Sequence, residues 1–371
     1  MPKVSVWSMG MTIATPPPAS AIPALHEDDH EQVVIRQDPE SGLRFIVAVH
    51  STALGPSLGG MRLRRYPGGM REALEDVLAL SRTMTLKAAA AGLDLGGGKS
   101  VMLDDGRTEL RETRLVAAAG VIDSLDGAYI TAEDIGTTTS DMDLMAGHSR
   151  YVVGRSRERG GGGDPSPATA ETVFQAIGRG LSHATGSAEL EGRRVGVIGV
   201  GKVGSSLASR LVAAGARVIV CDIDTERAER FAVDTGAELA PSAQAILGLE
   251  LDVLCPCAAG GLIDEALARS IDVAVVAGAA NNPLTGRAAA RALAARGILY
   301  VPDFLANCGG LIHVASEWYG DSGPAPADSI ARAMDRLEVA MATADAEDLT
   351  THEVAERQAF ERVERARSLT R

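Results

Sequence analysis

The pattern of apolar and polar positions divides the chain into two parts that differ in the order of their predicted strands and helices. The pattern is strand-like from Gln32 to Tyr66, where VVIRQD and LRFIVAVHS are separated by the turn sequence DPESG. From Met70 to Ala91 apolar residues recur every three to four positions, which predicts an amphipathic helix. A second helix is predicted from about Glu109 to Leu125 and a short strand in AYITAED, whereas the glycine-rich LGGGKSVM receives no assignment.

The second part begins after GRSRERGGGGDPSP, whose composition predicts a hinge between two domains. Beyond it, apolar strands alternate with helical patterns, which is typical of βαβ units on a parallel sheet. A helical region rich in Ala, Glu and Arg begins near Asp328. The predicted strands are VGVIGV, ARVIVCDID, DVLCPCA, VAVVAGAAN and GILYVP.

Composition and charge narrow the possible partners. The 371 residues are 46% hydrophobic and 23% charged, an ordinary globular balance for two domains. A net charge of −13 argues against binding to nucleic acid or to an anionic membrane surface. No apolar run reaches membrane-spanning length. The four cysteines lack the spacing of a zinc site, so we expect a cytoplasmic protein without a metal.

A dinucleotide site is predicted where the strand VGVIGV leads into GVGKVG and then into a helical pattern. In this context the glycines allow a tight turn and close approach of the pyrophosphate to the helix N-terminus. The next strand ends in Asp222, an acid placed to bind the ribose 2′-OH of NAD and to repel the 2′-phosphate of NADP. The residues after it, Ile223 to Thr225, are not basic, so we expect NAD. The predicted cofactor-binding residues of this motif are Gly199, Gly201, Lys202, Val203, Gly204 and Asp222.

Two lysines, Lys87 and Lys99, lie in the small, apolar stretch LKAAAAGLDLGGGKS. Burial in apolar surroundings lowers the pKa of a lysine, which can then act as an acid or base near neutral pH. The glycines Gly96 to Gly98 are expected to let the backbone approach a small substrate. We expect one lysine to hold a substrate carboxylate and the other to transfer protons. On spacing alone, two solvated lysines remain the alternative.

A carboxylate partner is available in TAEDIGTTTSDMD, where Asp134 follows an apolar strand and precedes Gly136. Glu133 alternates away from Asp134 on an extended strand, so at most one of them faces the site. We predict that Asp134 is the acid of the site. The alternative role for it is a helix cap or a turn acid.

Six stretches together resemble the amino acid dehydrogenase family that includes leucine, valine and phenylalanine dehydrogenases, with glutamate dehydrogenase more distant. The glycine–lysine stretch and the AANN stretch are the most specific of them. The matching sequences are GPSLGG, MTLKAAAAGLDLGGGKSVM, YITAEDIGTTTSDMD, GVGKVG, GAANNPL and YVPDFLANCGGLIHVA.

The resemblance implies an α/β fold with two domains across a cleft. Residues 31–155 are expected to form a domain for substrate binding and oligomerisation, and residues 156–339 an NAD-binding domain with a Rossmann-like doubly wound sheet. A C-terminal helix, 340–371, is expected to pack back on the first domain. Residues 1–30 are expected to be a flexible extension. The protein is expected to be a homo-oligomer, a dimer or larger.

The resemblance also implies a reaction, the oxidation of an L-amino acid to a 2-oxo acid and ammonia with reduction of NAD. Lys99 is implied to activate water, Asp134 to transfer protons, and Lys87 to bind the α-carboxylate. Asn281 is implied to lie near the cofactor and the substrate α-carbon, and Thr169 near the nicotinamide. The residues implied to line the substrate pocket are Leu58, Gly59, Gly60, Ala132, Leu311 and Val314.

The class of substrate depends on Leu58, which stands where the glutamate branch usually has a lysine for the side-chain carboxylate. An apolar amino acid is therefore expected, and the aliphatic Ala132, Leu311 and Val314 favour an aliphatic or broad specificity while leaving an aromatic substrate open. One alternative is a glutamate-type dehydrogenase, against which Leu58 argues. The other is a catalytically silent NAD-binding sensor, against which the intact lysines argue.

Overall fold

Two six-stranded sheets form the centres of two domains in the computed structural model, which describes residues 3–7 and 30–370. Most of the expected N-terminal extension, residues 8–29, lies outside the described residues. Within that extension, Lys3–Trp7 forms strand β1, which runs parallel to the strand Gln32–Asp38. Every helix in the described part of the chain is too short or too polar to cross a membrane.

The first sheet is mixed and has the strand order β1-β2-β3-β5-β4-β6. Its third strand pairs antiparallel with both neighbours, whereas the strands that carry the site, β5, β4 and β6, run parallel to one another. Parallel strands bring their carboxyl ends to one edge of the sheet, which places residues at these ends close together. The remaining elements of this domain are β2 (Gln32–Asp38), β3 (Leu43–Ser51), β4 (Ser57–Arg64), α1 (Gly69–Ala90), β5 (Gly96–Leu103), α2 (Arg111–Asp123), β6 (Tyr129–Glu133) and α3 (Thr139–Ala146).

The glycine triplet lies in β5, a fully buried central strand to which the sequence had assigned no element. Glycine is generally disfavoured in strands, but here the close approach of neighbouring elements requires it. A Cβ on Gly97 would lie 2.0 Å from the backbone nitrogen of Thr85 in α1, and one on Gly98 would lie 2.6 Å from the Tyr129 ring. Protein atoms occupy the space beside these glycines, so the expectation that the triplet makes room for substrate was wrong.

The second sheet is entirely parallel, with the order β12-β11-β10-β7-β8-β9. The strand order reverses at β7 and β10, and ligands of doubly wound sheets bind at such a switch point. This confirms the predicted fold class, and all five strands expected from sequence are present. The elements are α4 (Ser166–Thr185), β7 (Arg194–Ile198), α5 (Lys202–Ala213), β8 (Arg217–Cys221), α6 (Thr225–Thr235), β9 (Glu238–Leu239), α7 (Ala243–Leu247), β10 (Glu250–Pro256), α8 (Glu265–Ala268), β11 (Asp272–Val276), α9 (Arg287–Ala294), β12 (Leu299–Tyr300), α10 (Asp303–Ala306), α11 (Gly309–Tyr319), α12 (Pro326–Glu347) and α13 (Thr351–Thr370).

The last helix, α13, lies against α1 of the first domain. Arg362 of α13 donates to the carbonyl oxygen of Leu93 at 2.7 Å and to Asp94 at 2.8 Å. The guanidinium of Arg82 in α1 lies 5.4 Å from the centroid of the Phe360 ring.

The expected single helix 340–371 is divided, because residues 340–347 form the end of α12 and α13 begins at Thr351 after a turn at Asp348. The second of these helices, α13, packs on the first domain.

The glycine-rich segment between the domains is fastened to α11 by one buried carboxylate. Glu317 accepts hydrogen bonds from the backbone nitrogens of Gly154 at 2.9 Å and Gly162 at 3.1 Å. Its other oxygen accepts from Nε of Arg155 at 2.6 Å. Because α11 also carries two of the predicted pocket residues, this contact ties the interdomain segment to the wall of the cleft.

Candidate active site

Lys99 and Asp134, to which the resemblance assigns the proton chemistry, are in direct contact. Nζ of Lys99 lies 3.1 Å from Oδ2 of Asp134, and the Lys99 residue is 5% exposed. Lys99 belongs to β5, and Asp134 follows the last residue of β6. Burial lowers the pKa of Lys99, although the neighbouring Asp134 carboxylate opposes that shift. A buried amine with a lowered pKa beside a carboxylate is suited to proton transfer.

Asp134 is also bound by Arg62, a residue that the sequence reasoning missed. Nε of Arg62 donates to Oδ2 of Asp134 at 2.9 Å, the same oxygen that Lys99 approaches. Burial alone would raise the pKa of Asp134, but the two cations reverse this and hold its pKa below the usual value. The available signal was an arginine between two apolar residues, Met61 and Leu63, in the glycine-rich strand SLGGMRLR.

The turn after β6 decides which of the two adjacent acids enters the site. Oε2 of Glu133 accepts a hydrogen bond from Thr139 at 2.9 Å, which turns Glu133 toward α3. The backbone nitrogen of Asp134 donates to Oγ1 of Thr137 at 2.9 Å, which fixes the turn. A Cβ on Gly60 would lie 2.8 Å from the Asp134 Cβ, so this glycine admits the acid to the site. The prediction that Glu133 faces away is confirmed.

Lys87 and Asn281 meet across the cleft. Nζ of Lys87 donates to Oδ1 of Asn281 at 3.1 Å. Nδ2 of Asn307 donates to the same oxygen at 2.9 Å, and among the described residues its own Oδ1 is buried without a partner. Partial burial lowers the pKa of Lys87, while Asp303 nearby opposes the shift. The lysine of one domain and the AANN motif of the other thus form one polar cluster.

The four predicted side chains of the pocket wall are all buried and belong to one hydrophobic cluster that spans both domains. They are Leu58, Ala132, Leu311 and Val314. Leu311 and Val314 are three positions apart on helix α11, which puts them on one face. A Cβ on Gly154 would lie 3.8 Å from that of Ala132 and 3.9 Å from Cγ1 of Val314. Walls from both domains therefore converge on the interdomain segment.

Gly59, predicted to line the pocket through its backbone, lies against the neighbouring strand. A Cβ on it would fall 1.8 Å from the carbonyl oxygen of Gly98. Tyr129, on the neighbouring strand β6, donates to the carbonyl oxygen of Gly59 at 2.6 Å. Close packing of β4 on β5 is enough to require glycine here.

The glycines of GVGKVG take the three roles expected of a dinucleotide turn. Gly199 has a φ of +101°, and Gly201 is the N-terminal cap of α5, which begins with Lys202 and Val203. A Cβ on Gly204 would lie 2.0 Å from the carbonyl oxygen of Gly199, whereas one on Gly201 would meet no described protein atom within 4 Å. The open side of Gly201, at a helix N-terminus, fits the pyrophosphate of NAD.

Asp222 lies at the end of β8, beside this turn. Its carboxylate accepts from the backbone nitrogens of Val200 at 2.8 Å and Asp224 at 2.9 Å. Arg227, one turn into α6, lies 3.6 Å from Asp222 and 2.9 Å from Asp224. A basic residue therefore lies beside Asp222, although the stretch from Ile223 to Thr225 that follows Asp222 in sequence contains none.

Thr169, predicted near the nicotinamide, lies in the first turn of α4. Its Oγ1 donates to the carbonyl oxygen of Pro165 at 3.2 Å. A Cβ on Gly310 would lie 2.6 Å from that Oγ1, so Thr169 abuts the first turn of α11. The residue predicted at the cofactor thus adjoins the helix that carries Leu311 and Val314.

Three family models match the chain. Residues 30–151 match the Glu/Leu/Phe/Val dehydrogenase dimerisation domain. Residues 221–371 match the model for glutamate, leucine, phenylalanine and valine dehydrogenases. Residues 173–249 match the NAD-binding domain of D-isomer-specific 2-hydroxyacid dehydrogenases.

Similarity to curated proteins and solved structures extends over most of the chain. The leucine dehydrogenase of Geobacillus stearothermophilus is 43% identical over 91% of this chain and 92% of its own length. The valine dehydrogenase of Streptomyces virginiae is 44% identical over 80% of this chain and 83% of its own length. The crystal structure of L-tryptophan dehydrogenase from Nostoc punctiforme superposes with a TM-score of 0.80 at 32% identity, covering 93% of this chain and 99% of that one.

Proposed function

Because this chain belongs to the Glu/Leu/Phe/Val dehydrogenase family, we infer that it catalyses the reversible, NAD-dependent oxidative deamination of an apolar L-amino acid. The products are the 2-oxo acid, ammonia and NADH. The observation that carries the residue assignment is the buried contact of Lys99 with Asp134 at 3.1 Å. A glutamate-type enzyme is disfavoured, because buried Leu58 offers no partner for a side-chain carboxylate.

Lys99 and Asp134 are proposed to divide the proton chemistry. NAD, held by the glycine turn before α5, would supply the acceptor for a hydride from the α-carbon of the neutral amino acid amine, and loss of that hydride would leave the substrate as an iminium. Neutral Lys99 removes a proton from the water that attacks this carbon, and the resulting cation stabilises the oxygen that becomes the carbonyl. Asp134 takes a proton from the carbinolamine and returns one to the departing ammonia. The lowered pKa of Lys99 increases the fraction of neutral amine near pH 7.

Lys87 is proposed to bind the α-carboxylate of the substrate. Its ammonium already contacts Asn281 of the opposite domain, so a carboxylate at Nζ would lie where the two domains meet. A charge-assisted hydrogen bond would fix the α-carbon between the two domains. Asn281, held by Asn307, would then be positioned beside both substrate and cofactor.

The NAD-binding residues are proposed as the sequence motif places them. The backbone of Gly199, Gly201 and Gly204 and the first turn of α5, with Lys202 and Val203, would hold the pyrophosphate. Asp222 would accept from the ribose hydroxyls. Thr169 and Asn281 would lie at the nicotinamide end. The proposed domain limits are 31–155 for the substrate domain, joined by the C-terminal helix, and 156–339 for the NAD-binding domain.

An aliphatic amino acid is the proposed substrate. The pocket walls are small or branched aliphatic side chains, and Ala132 and Val314 both approach Gly154 closely. Such a pocket accommodates a valine or leucine side chain with less rearrangement than an aromatic ring. We also propose a homo-oligomer formed through the first domain, in line with the description of the family model that it matches, and a cytoplasmic location for the NAD-dependent reaction.

The test is NADH formation from a panel of L-amino acids, with Lys99→Ala and Lys99→Arg as matched variants. Loss of the neutral amine should lower kcat by about 1,000-fold or more in both variants, while NAD binding persists. Lys99→Arg keeps the positive charge, so it separates proton transfer from charge alone. Full activity of either variant would contradict the role given to Lys99. An absence of turnover with every amino acid, from wild-type protein that binds NAD, would contradict the function.

A further inference from the structure

A continuous chain of polar contacts leads from the proposed base, Lys99, to Tyr66, which lies just after the end of β4. Lys99 and Arg62 both approach Oδ2 of Asp134, at 3.1 and 2.9 Å. Nη1 of Arg62 lies 3.1 Å from Oδ2 of Asp76 in α1, and Tyr66 donates to that oxygen at 2.7 Å. The contacts join two strands, a helix and two loop residues.

The geometry of Arg62 is fixed on both sides of its guanidinium. Nε donates to Asp134, and Nη1 donates to both oxygens of Asp76, at 3.1 and 3.3 Å. A planar guanidinium held in this way can rotate little, so it fixes the carboxylate that it contacts. The side chain of Arg62 is 13% exposed and that of Asp134 is 23% exposed. Water therefore screens the contact weakly.

We propose that Arg62 is a positioning residue for the deamination, which holds Asp134 through Oδ2 and leaves Oδ1 to exchange protons with the substrate nitrogen. The inference rests on the proposed roles of Lys99 and Asp134. Among the described residues, both cations bind one oxygen of this carboxylate. A carboxylate held by one oxygen keeps a defined direction for the other. Asp76 and Tyr66 act behind Arg62, by holding the guanidinium in place.

Arg62 also affects the charge state of Lys99. Its positive charge lowers the pKa of Lys99 further, in addition to the larger effect of burial. Loss of Arg62 should therefore raise the pKa of Lys99, since Asp134 would then interact with the lysine alone. The same loss should raise the pKa of Asp134. The other charged groups that act on this pair from the surrounding elements are Asp76 and Lys87, and the neutral Tyr129 lies within reach of the Asp134 charge.

The first experiment compares the pH profiles of kcat/KM for wild type, Arg62→Gln and Arg62→Lys. The acid limb of oxidative deamination reports the deprotonation of Lys99. In Arg62→Gln this limb should move to higher pH, and kcat should fall by about 10- to 100-fold. Compared with Arg62→Gln, Arg62→Lys should bring the acid limb part of the way back to its wild-type pH, because the positive charge is kept. It should restore little of kcat, because an ammonium cannot contact both Asp134 and Asp76 with the fixed geometry of a guanidinium. A lower kcat with an unmoved acid limb would mean a merely structural role and would overturn the proposal.

A second readout does not depend on turnover. The chain has four lysines, Lys3, Lys87, Lys99 and Lys202, so competitive acylation followed by mass spectrometry resolves each amine. The pH at which Lys99 becomes reactive should rise in Arg62→Gln while that of Lys202 stays. An unchanged reactivity profile of Lys99 would contradict the proposed electrostatic effect.

The matched control is Arg111→Gln. Arg111 binds a second aspartate of the same domain, Asp141, at 2.5 Å, in a pair formed between α2 and α3. This variant loses an Arg–Asp ion pair of the same kind. It should leave unchanged both the pH profile of kcat/KM and the pH dependence of Lys99 acylation. If Lys99→Ala is inactive and the Arg62 variants keep the wild-type profiles, only the inference about Arg62 fails. If Lys99→Ala is active, the proposed function of the lysine fails first.

Discussion

Lys87 and Asn281, 194 positions apart in sequence, are joined by a hydrogen bond of 3.1 Å between the two domains. Lys87 lies in the last turn of α1, and Asn281 follows β11 of the second sheet. The bond therefore joins the two domains directly. In the proposed function, a substrate carboxylate at Nζ would lie between these two groups, so the same lysine would contact both the substrate and the opposite domain.

Lys87→Ala is expected to weaken substrate binding more than it slows the chemical step. Removing a charged donor to a carboxylate costs about 1.5–3 kcal/mol, which corresponds to about a 10- to 100-fold rise in KM for the amino acid. Steady-state kinetics with saturating NAD measures this effect, and Lys87→Arg is the matched variant that keeps the charge. An unchanged KM for the amino acid in Lys87→Ala would contradict the role of this lysine.

The sequence predicted the elements that carry strong periodicity and the residues that end strands. Helix α1, predicted for Met70 to Ala91, spans Gly69–Ala90, and strand β3 matches LRFIVAVHS throughout. Asp134 could be chosen over Glu133, because alternation along an extended strand is a local property. The contact of Asp134 with Lys99 required the resemblance, since spacing alone left both residues open to ordinary structural roles.

Other features depended on tertiary packing, which the local pattern does not encode. The glycines of β5 look like a loop, and only the approach of α1 and Tyr129 explains why a buried strand contains them. Arg62 was missed because its two partners, Asp76 and Asp134, are 14 and 72 positions away in the chain. Likewise, Arg227 lies beside Asp222 only because the first turn of α6 brings the chain back toward the end of β8.

Asp222→Ser is expected to admit NADP. The substitution removes the carboxylate that would repel a 2′-phosphate, while Arg227 remains nearby to bind it. The ratio of kcat/KM for NADP to that for NAD should rise about tenfold or more, measured with one amino acid at saturation. In the double variant Asp222→Ser/Arg227→Ala, most of the gain should disappear. If the ratio for NADP over NAD rises equally with and without Arg227, the arginine does not contribute to NADP binding.

Val314→Ala is expected to shift the enzyme toward larger substrates. The change removes two methyl groups from the wall opposite Ala132, which lengthens the pocket beside Gly154. Discrimination between valine and phenylalanine should fall by about 1–3 kcal/mol in relative kcat/KM. Val173→Ala in α4 is the control, because it truncates a buried valine of the same hydrophobic cluster outside the predicted wall. If Val173→Ala changes the ranking equally, the effect reflects general loosening of the cluster.

His50 should make the protein less stable in acid. It is buried on β3 with Nδ1 2.8 Å from Oγ1 of Thr85, and burial lowers its pKa from 6.5 to about 3. Because the unfolded chain binds the proton more readily, stability is full above pH 6.5 and falls between pH 6.5 and about 3. The loss is about 1.4 kcal/mol for each pH unit in this range.

Chemical unfolding at a series of pH values tests this expectation, with His50→Gln as the variant and His148→Gln as the control. Glutamine can keep a hydrogen bond to Thr85 without titrating, so its stability should depend less on pH. His148 is exposed and should leave the pH dependence unchanged. If the free energy of unfolding depends on pH with the same slope in wild type and in His50→Gln, groups other than His50 cause the loss of stability in acid.

Glu317→Ala is expected to loosen the segment that connects the domains. The buried carboxylate, with 4% of its side chain exposed, accepts from the backbone nitrogens of Gly154 and Gly162 and pairs with Arg155. Without it these donors are left unsatisfied, which should cost about 2–4 kcal/mol and raise amide exchange across residues 154–162. Hydrogen–deuterium exchange by mass spectrometry measures this directly. Because α11 also carries Leu311 and Val314, and Val314 lies beside Gly154 of this segment, KM for the amino acid should rise together with the exchange. Faster exchange with an unchanged KM would show that the position of the proposed pocket wall on α11 does not depend on the order of residues 154–162.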